Sequence, residues 1–230
     1  MTLIIAAQGT DGCVLSADRA ESSDTFIKFV DKIFQVHGEV LSFAGDIAIG
    51  EKILTDVENS DWPDDNTDEQ IRLIEIVTKI ENKRYSSKKE SSTATLFMTF
   101  HKEAQSFIQF FNYDGTSFKI RSYESIGIAD NQSEYFLRTL YKPEFDCEKL
   151  AEICSFVIQL ISETSINNSV QVSSQYPPEC YIIQHSKPYR YNNDFSWEMN
   201  NDRIRKLHNT MNDLFAEKDI ITMEAIKRYW

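Results

Sequence analysis

Residues 2–19, TLIIAAQGTDGCVLSADR, predict a β-hairpin whose first strand begins at the second residue of the chain. An apolar run at 3–7 is followed by the turn-forming residues 9–12, and a second apolar run occupies 13–17. The hairpin therefore places Thr2 at the start of a strand, directly behind the initiator Met1.

Strand and helix patterns follow one another in blocks along the rest of the chain. The expected strands lie at 3–7, 13–17, 33–36, 39–43, 93–100, 106–112, 118–123, 170–173 and 180–184. The expected helices lie at 49–57, 67–85, 133–141, 146–165 and 203–215, the second of them begun by a Thr67-x-x-Gln70 capping box. Two antiparallel sheets that each face a helical layer would bury all of these apolar faces, which predicts a layered α+β domain.

The composition is that of a folded globular protein with an acidic charge balance. Of 230 residues, 41% are hydrophobic, and 24 Lys and Arg stand against 36 Asp and Glu, a net charge of −12. This balance disfavours binding to nucleic acid or to anionic lipid. No apolar run approaches the ~20 residues of a spanning helix, and the N-terminus lacks a secretory pattern, so we expect no membrane partner and a cytoplasmic location.

Cysteines and histidines give no metal-binding pattern. The four cysteines, Cys13, Cys147, Cys154 and Cys180, show no CxxC spacing and lie in apolar segments, which favours buried thiols. The four histidines are isolated from one another, without HExxH or similar spacing. We therefore expect no metal and no cofactor.

Thr2 is the first candidate for chemistry. A small second residue permits removal of Met1, and Thr2 would then carry both a hydroxyl and a free α-amine. An α-amine has a reference pKa of about 7.7–8.0 and can accept the hydroxyl proton, so an N-terminal threonine can supply nucleophile and base together. A chain that begins Met-Thr for other reasons is the alternative, and the dipeptide alone does not separate the two.

Motifs beyond Thr2 do separate them. The pattern T-x-I-x-A at 2–6, G-x-D-G-x-V-L-x-A-D-R at 9–19, K-I-F at 32–34 and A-G-D at 44–46 resembles the β-type subunits of the proteasome and their prokaryotic relatives. These proteins are N-terminal nucleophile hydrolases. The resemblance implies a four-layer αββα sandwich, here with a C-terminal helical extension, so that 2–185 would form the family domain and 186–230 the extension.

Position by position, the resemblance implies a set of catalytic roles. Thr2 matches the nucleophile, Asp18 the carboxylate sixteen residues later, Lys32 the lysine that opens the K-I-F strand, and Gly45 the glycine whose N–H serves the oxyanion. A buried ammonium beside the Thr2 amine would favour the neutral, basic amine, and Asp18 would hold that ammonium. A structural ion pair and a turn glycine are the alternatives for Asp18–Lys32 and for Gly45.

The resemblance also implies a specificity pocket and supporting polar groups. The pocket residues would be Val30, Phe34, Phe43 and Ile47, all apolar, which predicts an uncharged apolar side chain on the acyl side of the cleaved bond. In the second half the family has a serine where this chain has Ile128. It has an aspartate and a serine where Thr164 and Asn167 stand, so one supporting carboxylate is lost.

The expected function is that of a threonine-type peptidase or amidase that forms an acyl-ester on Thr2 of a peptide or protein substrate. Two alternatives keep the fold: a non-catalytic ring or scaffold subunit, and a relative that transfers the acyl group to a peptide amine. Proteasome-like subunits assemble into rings, so a homo-oligomer is expected. The extension, which carries an apolar stripe, would pack on the domain or join subunits.

Overall fold

The computed structural model describes residues 2–22, 27–64, 66–86, 92–102, 105–164, 170–184, 187–191 and 199–206. The strands are β1 (Leu3–Gln8), β2 (Cys13–Ala17), β3 (Ala20–Ser22), β4 (Ile27–Phe29), β5 (Ile33–Val36), β6 (Glu39–Gly45), β7 (Ala94–Lys102), β8 (Gln105–Phe111), β9 (Ser117–Lys119), β10 (Tyr123–Gly127), β11 (Glu179–Gln184) and β12 (Lys187–Arg190). The helices are α1 (Ile47–Glu58), α2 (Thr67–Ser86), α3 (Asp130–Leu140), α4 (Cys147–Thr164) and α5 (199–206).

The predicted N-terminal hairpin is confirmed and lies inside the first sheet. Strands β1 and β2 pair antiparallel, with Gln8 opposite Cys13, and the Gly9 N–H donates to the Gly12 carbonyl at 2.9 Å to close the turn. The sheet order is β10-β1-β2-β11-β12. Because β1 has neighbours on both sides and is covered on both faces, its sequence is a continuous apolar run without alternation.

A second antiparallel sheet has the order β5-β6-β7-β8-β9, and β3 pairs with β4 in a separate two-stranded ribbon. The ribbon extends from the end of β2 towards the start of β5. It thus joins the two sheets at the edge where Asp18 and Lys32 lie.

Three apolar clusters hold the sheets and helices together. On β1, Leu3, Ile5 and Ala7 pack with α3 and α4, whereas Ile4 and Ala6 point the other way into a cluster shared with the second sheet. A third cluster joins the second sheet to α1 and α2. Helices therefore pack against one face of each sheet, and the two sheets share apolar contacts.

Several local predictions are wrong. The segment 170–173 is not a strand, and the single strand expected at 118–123 is two strands in different sheets, β9 and β10. The capping box at Thr67 is also wrong: Asn66 caps α2, its Oδ1 accepting the Glu69 N–H at 3.2 Å, while the Thr67 hydroxyl donates to the His101 carbonyl at 2.8 Å.

The described parts of the C-terminal region pack on the rest of the chain. Strand β12 pairs with β11, and Ile204 of α5 is 1% exposed in the cluster around α4. Arg203 lies 2.5 Å from Glu152 of α4 in an ion pair. The apolar stripe predicted beyond 206 lies outside the described residues.

In the described part of the chain, no helix combines the length and apolarity that crossing a bilayer requires.

Candidate active site

A buried ion pair lies where β2 ends and β5 begins. The Lys32 Nζ donates to Asp18 Oδ1 at 2.8 Å, and it also donates to the Ala20 carbonyl. The Asp18 side chain is fully buried and that of Lys32 is 8% exposed. The predicted pairing of these two residues is therefore present in the structure.

Asp18 also holds the start of β1, next to Thr2. Its Oδ1 accepts the Leu3 N–H at 2.8 Å and its Oδ2 accepts the Ala20 N–H at 3.2 Å. The Asp18 N–H in turn donates to the Leu3 carbonyl at 3.1 Å. Burial raises the pKa of Asp18, whereas the Lys32 ammonium and the two amide donors favour its charged form. One carboxylate thus positions both the lysine and the strand that begins after Thr2.

Glu179 is a positioning residue that the sequence analysis missed. Its Oε2 accepts the backbone N–H groups of Lys32 at 2.7 Å and Ile33 at 3.1 Å, and Arg190 lies 3.7 Å from its Oε1. Glu179 is 1% exposed, and burial raises its pKa. An acidic residue directly before an apolar strand run was the available signal, since such a residue is seldom fully buried without partners.

The end of β10 fixes the backbone of Thr2. The Thr2 carbonyl accepts the Ile128 N–H at 2.8 Å. Gly127, at φ +102°, lies so close that a Cβ there would sit 1.9 Å from the Thr2 carbonyl oxygen. Only glycine meets both conditions. Ile128, the residue in the place of the family serine, therefore contributes its backbone to this end of the site.

Six of the ten predicted site residues line one cavity of about 200 Å³. Its lining includes the nucleophile candidate, the lysine and all four predicted pocket residues: Thr2, Val30, Lys32, Phe34, Phe43 and Ile47. Three charged residues that were not predicted also line it: Lys28, Asp31 and Glu51. The cavity therefore combines an apolar wall with charged groups of both signs.

The apolar wall is formed where β5, β6 and α1 meet. The rings of Phe34 and Phe43 stack with centroids 5.7 Å apart and planes 8° apart. Gly50 of α1 makes room for Phe43, because a Cβ at this position would lie 2.0 Å from a ring carbon. The glycine therefore sets how close the Phe43 ring lies to the helix.

Gly45 ends β6, one residue before Asp46 caps α1 by accepting the Ala48 N–H at 3.0 Å. Its φ is +118°, and a Cβ would lie 2.1 Å from the Thr93 carbonyl oxygen. The backbone alone thus requires glycine here, whether or not its N–H serves an oxyanion. Gly45 is not among the residues that line the cavity.

Of the two predicted supporting residues, Thr164 is described and Asn167 lies outside the described residues. Thr164 ends α4, and its hydroxyl donates to the Leu160 carbonyl of the same helix at 2.8 Å. It does not line the cavity that contains Thr2.

Chemically, the cavity brings a threonine to a buried cation. Proximity to an ammonium disfavours protonation of a neighbouring amine, and burial of the pair strengthens that effect. Among the described residues, no group of three or more His, Cys, Asp or Glu side chains is arranged to hold a metal ion.

Comparison with known proteins identifies the family of the chain and proteins of similar fold. The family model described as "Proteasome subunit" matches residues 2–173. Anbu (ancestral beta-subunit) from Yersinia bercovieri is similar in fold, with a TM-score of 0.71 and 13% identity, over 96% of this chain and 99% of that one. An Anbu (Gly-1) mutant from Hyphomicrobium sp. strain MC1 gives 0.72 and 12%, over 96% and 100%. No curated protein matches the sequence.

Proposed function

Since the chain belongs to the proteasome subunit family, we propose that it is a threonine-type peptidase or amidase whose nucleophile is Thr2, exposed when Met1 is removed. One observation carries the proposal: Thr2 and Lys32 line the same cavity, and Asp18 holds both Lys32 and the strand that begins after Thr2. The proposal includes the four-layer αββα form of the N-terminal nucleophile fold.

The chemistry follows from an N-terminal threonine beside a buried cation. The Thr2 hydroxyl oxygen attacks the carbonyl carbon of a peptide bond, and its proton passes to the neutral α-amine of the same residue. The resulting ammonium gives that proton to the departing amine as the C–N bond breaks, which leaves an ester on Thr2. Water, activated by the same amine, then releases the carboxylic acid product.

Lys32 and Asp18 act on the basicity of the amine. The Lys32 charge keeps the Thr2 amine neutral at neutral pH, and the Asp18 carboxylate keeps the ammonium inside the protein. In this account Gly45 supplies a backbone N–H to the oxyanion at the N-terminal end of α1. Asn167 is proposed as a weaker hydrogen-bonding partner of the amine, whereas Thr164, whose hydroxyl donates within α4, is not.

For the substrate we propose a peptide with an uncharged apolar residue on the acyl side of the cleaved bond. Val30, Phe34, Phe43 and Ile47 supply the contact surface. Lys28, Asp31 and Glu51 also line the cavity, so its charged lining contains both signs and does not by itself favour a charged substrate. Cleavage that is more efficient after Lys or Arg than after Leu or Phe would contradict this.

The non-catalytic subunit remains the second candidate because one observation favours it. The Thr164 hydroxyl donates within its own helix and Thr164 does not line the cavity, so Thr164 does not replace the missing supporting carboxylate. Acyl transfer to a peptide amine is the outcome expected if the ester forms but water resolves it slowly.

A hydrolysis assay separates these candidates. Protein shown by mass to lack Met1 is incubated with N-capped peptides that differ only in the acyl-side residue, alongside Thr2→Ala and Thr2→Ser. We expect cleavage by the native protein, residual cleavage by Thr2→Ser and none by Thr2→Ala. Equal cleavage by all three would contradict the proposal, and native protein without turnover would favour the scaffold.

We also propose a cytoplasmic homo-oligomer in which 2–185 is the family domain and 186–230 an extension. The described part of the extension supports packing on the domain, since β12 extends the first sheet and Ile204 is buried against α4. Ring formation is supported by membership of the proteasome family alone.

A further inference from the structure

Helix α2 has an unusual distribution of side chains. Its buried residues are mostly polar, namely Gln70, Ile74, Thr78, Glu81 and Asn82. Two isoleucines point outward instead: Ile76 is 56% exposed and Ile80 is 49% exposed. The described residues leave this apolar face uncovered. A surface helix normally shows the reverse pattern, so the outward face of α2 has the composition of a contact surface.

The two exposed isoleucines and the half-buried Leu73 follow the spacing of a helix-pairing seam. Leu73, Ile76 and Ile80 are separated by three and four residues, and Glu69 and Lys83 extend the same spacing at the two ends. At about 100° per residue, these five positions fall within an arc of about 80°. The seam therefore runs along most of α2, with an acid at one end, a base at the other and Ile76 midway.

This seam is complementary to itself in the antiparallel direction. A two-fold axis through Ile76 places residue 76 − n of one helix opposite residue 76 + n of the other helix. Glu69 then faces Lys83 of the second copy. Asp68 and Arg84 face each other in the same way, but they already pair with Lys102 and Glu81 of their own chain. The Glu69–Lys83 pair therefore carries the charge complementarity. We propose that α2 of two copies of this chain pair antiparallel about Ile76, so that this face is an isologous interface.

Charge also favours a second copy at this face. The chain as a whole carries −12, so two copies repel each other over most of their surfaces. The exposed charged residues of α2 include two acids and four bases: Asp68, Glu69, Arg72, Lys79, Lys83 and Arg84. Two copies meeting here avoid the general repulsion and gain opposite-charge contacts at both ends of the seam.

The size of the contact sets its strength. Twenty residues make a helix about 30 Å long, and one helix pair buries less than the roughly 1,200–2,000 Å² of a standard interface. We therefore expect association with a Kd on the order of micromolar. Pairing through α2 does not depend on catalysis by Thr2. For this reason all association measurements use Thr2→Ala protein.

Sedimentation equilibrium from about 1 to 100 µM tests the surface. With α2 unchanged, pairing should reversibly double the mass of the unit that the chain otherwise forms, from one chain to two or from one ring to two. Ile76→Glu sets two carboxylates against each other on the axis and should raise the Kd at least tenfold. Tyr135→Glu, a matched change at a 47% exposed residue of α3, should leave it unchanged. A monomer throughout, or association disrupted by Tyr135→Glu and not by Ile76→Glu, overturns the proposal.

A charge exchange tests the antiparallel register. Glu69→Lys and Lys83→Glu should each weaken association, because each sets like charges face to face. The double variant restores opposite charges only if residue 69 faces residue 83 of the other copy. The two positions are about 21 Å apart along one helix, so rescue within a chain is excluded. Failure of the double variant to recover wild-type association contradicts the register.

Cross-linking gives a second measure that does not depend on affinity. All four native cysteines are buried, so Ile76→Cys introduces an exposed thiol without competitors. Under mild oxidation, the two introduced thiols meet at the axis, and this variant should form a disulfide-linked dimer faster than the Tyr135→Cys control does. Equal rates for the two variants would show that α2 does not face itself.

Discussion

At position 32, a buried ammonium depends on a buried carboxylate for its charge. Lys32 and Asp18 are 2.8 Å apart, and both are almost completely removed from water. Such a pair contributes little net stability, whereas the loss of one partner typically costs about 3–5 kcal/mol. A catalytic role for Lys32 must therefore be measured apart from its structural role.

Lys32→Met provides this separation when it is compared with Lys28→Met. Lys28 lines the same cavity but is exposed, so it controls for loss of a charge near Thr2. We expect Lys32→Met to slow acylation of Thr2 by about 10²–10⁴-fold and Lys28→Met to change it by less than tenfold. Rates are taken below the melting temperature of each variant. Similar rates for both variants would leave Lys32 with a structural role only.

Glu39 gives the protein a pH-dependent stability. Its Oε2 accepts the Thr99 hydroxyl at 2.8 Å and lies 3.3 Å from His101 Nε2, and burial raises its pKa to about 7. Burial also lowers the pKa of His101. A carboxyl whose pKa is raised on folding stabilises the fold fully below its unfolded pKa of about 4.3, and this stability is lost as pH rises through 7.

Glu39→Gln should therefore stabilise the protein at pH 8 and not at pH 4. The amide keeps an acceptor for Thr99 and carries no charge to bury, so the expected gain at pH 8 is roughly 2–3 kcal/mol. Glu58→Gln, at an exposed residue, is the control and should leave the free energy of unfolding unchanged at both pH 4 and pH 8. Urea unfolding at both pH values measures this; a gain of equal size at pH 4 and pH 8 would contradict a titrating Glu39.

At the level of elements, α1 shapes the cavity through a glycine. In Gly50→Ala the new methyl group meets the Phe43 ring, so the ring or the helix must move. We expect a loss of about 1–3 kcal/mol from overpacking, larger than the helix-propensity gain of about 1 kcal/mol, and a fall in kcat/KM for bulky acyl-side residues.

A second substitution checks that this loss comes from the ring. Phe43→Leu in the Gly50→Ala background removes the clashing atoms and should recover most of the lost stability, as seen in thermal melting. If the double variant is less stable than either single variant, the two side chains do not oppose each other as the geometry indicates.

The elements also show which features the sequence could predict. The β1–β2 hairpin and α4 have long, uninterrupted apolar patterns, and both were predicted to within a few residues. Strands β3 and β4 are three residues each and carry no readable periodicity. The run at 118–123 was read as one strand because nothing in its composition marks the point where the chain passes between sheets.

The same contrast holds for the site. The motifs within residues 2–47 resemble those of the proteasome β-type family, and this resemblance, not the spacing itself, placed Thr2, Lys32 and the four apolar residues at one site. The structure has these six residues in one cavity. Glu179 reaches Lys32 across 147 residues of sequence separation, through a side chain bonded to backbone amides. Such contacts leave no pattern in the local sequence, because the donors are backbone N–H groups, which nearly every residue type has.

At the level of the whole molecule, the C-terminal region is held to the domain by α5. Ile204 is buried in the cluster around α4, and the Gln159 amide donates to Asn201 at 2.5 Å. Ile204→Ala should lower the free energy of unfolding by about 2–4 kcal/mol. A matched change at the exposed Ile80 should alter it by less than about 0.5 kcal/mol in monomeric protein. Denaturant unfolding measures both; equal effects would place α5 outside the cooperative core.

The proposed catalysis depends on Thr2 as the nucleophile in this cavity. The most direct measurement is covalent trapping with a peptide epoxyketone or β-lactone, followed by intact mass and localisation of the adduct by fragmentation. We expect a single adduct on Thr2 of protein that lacks Met1, no adduct on Thr2→Ala, and no labelling of native protein that retains Met1. Retention of Met1 throughout, or labelling of Thr2→Ala at the native rate, would contradict it.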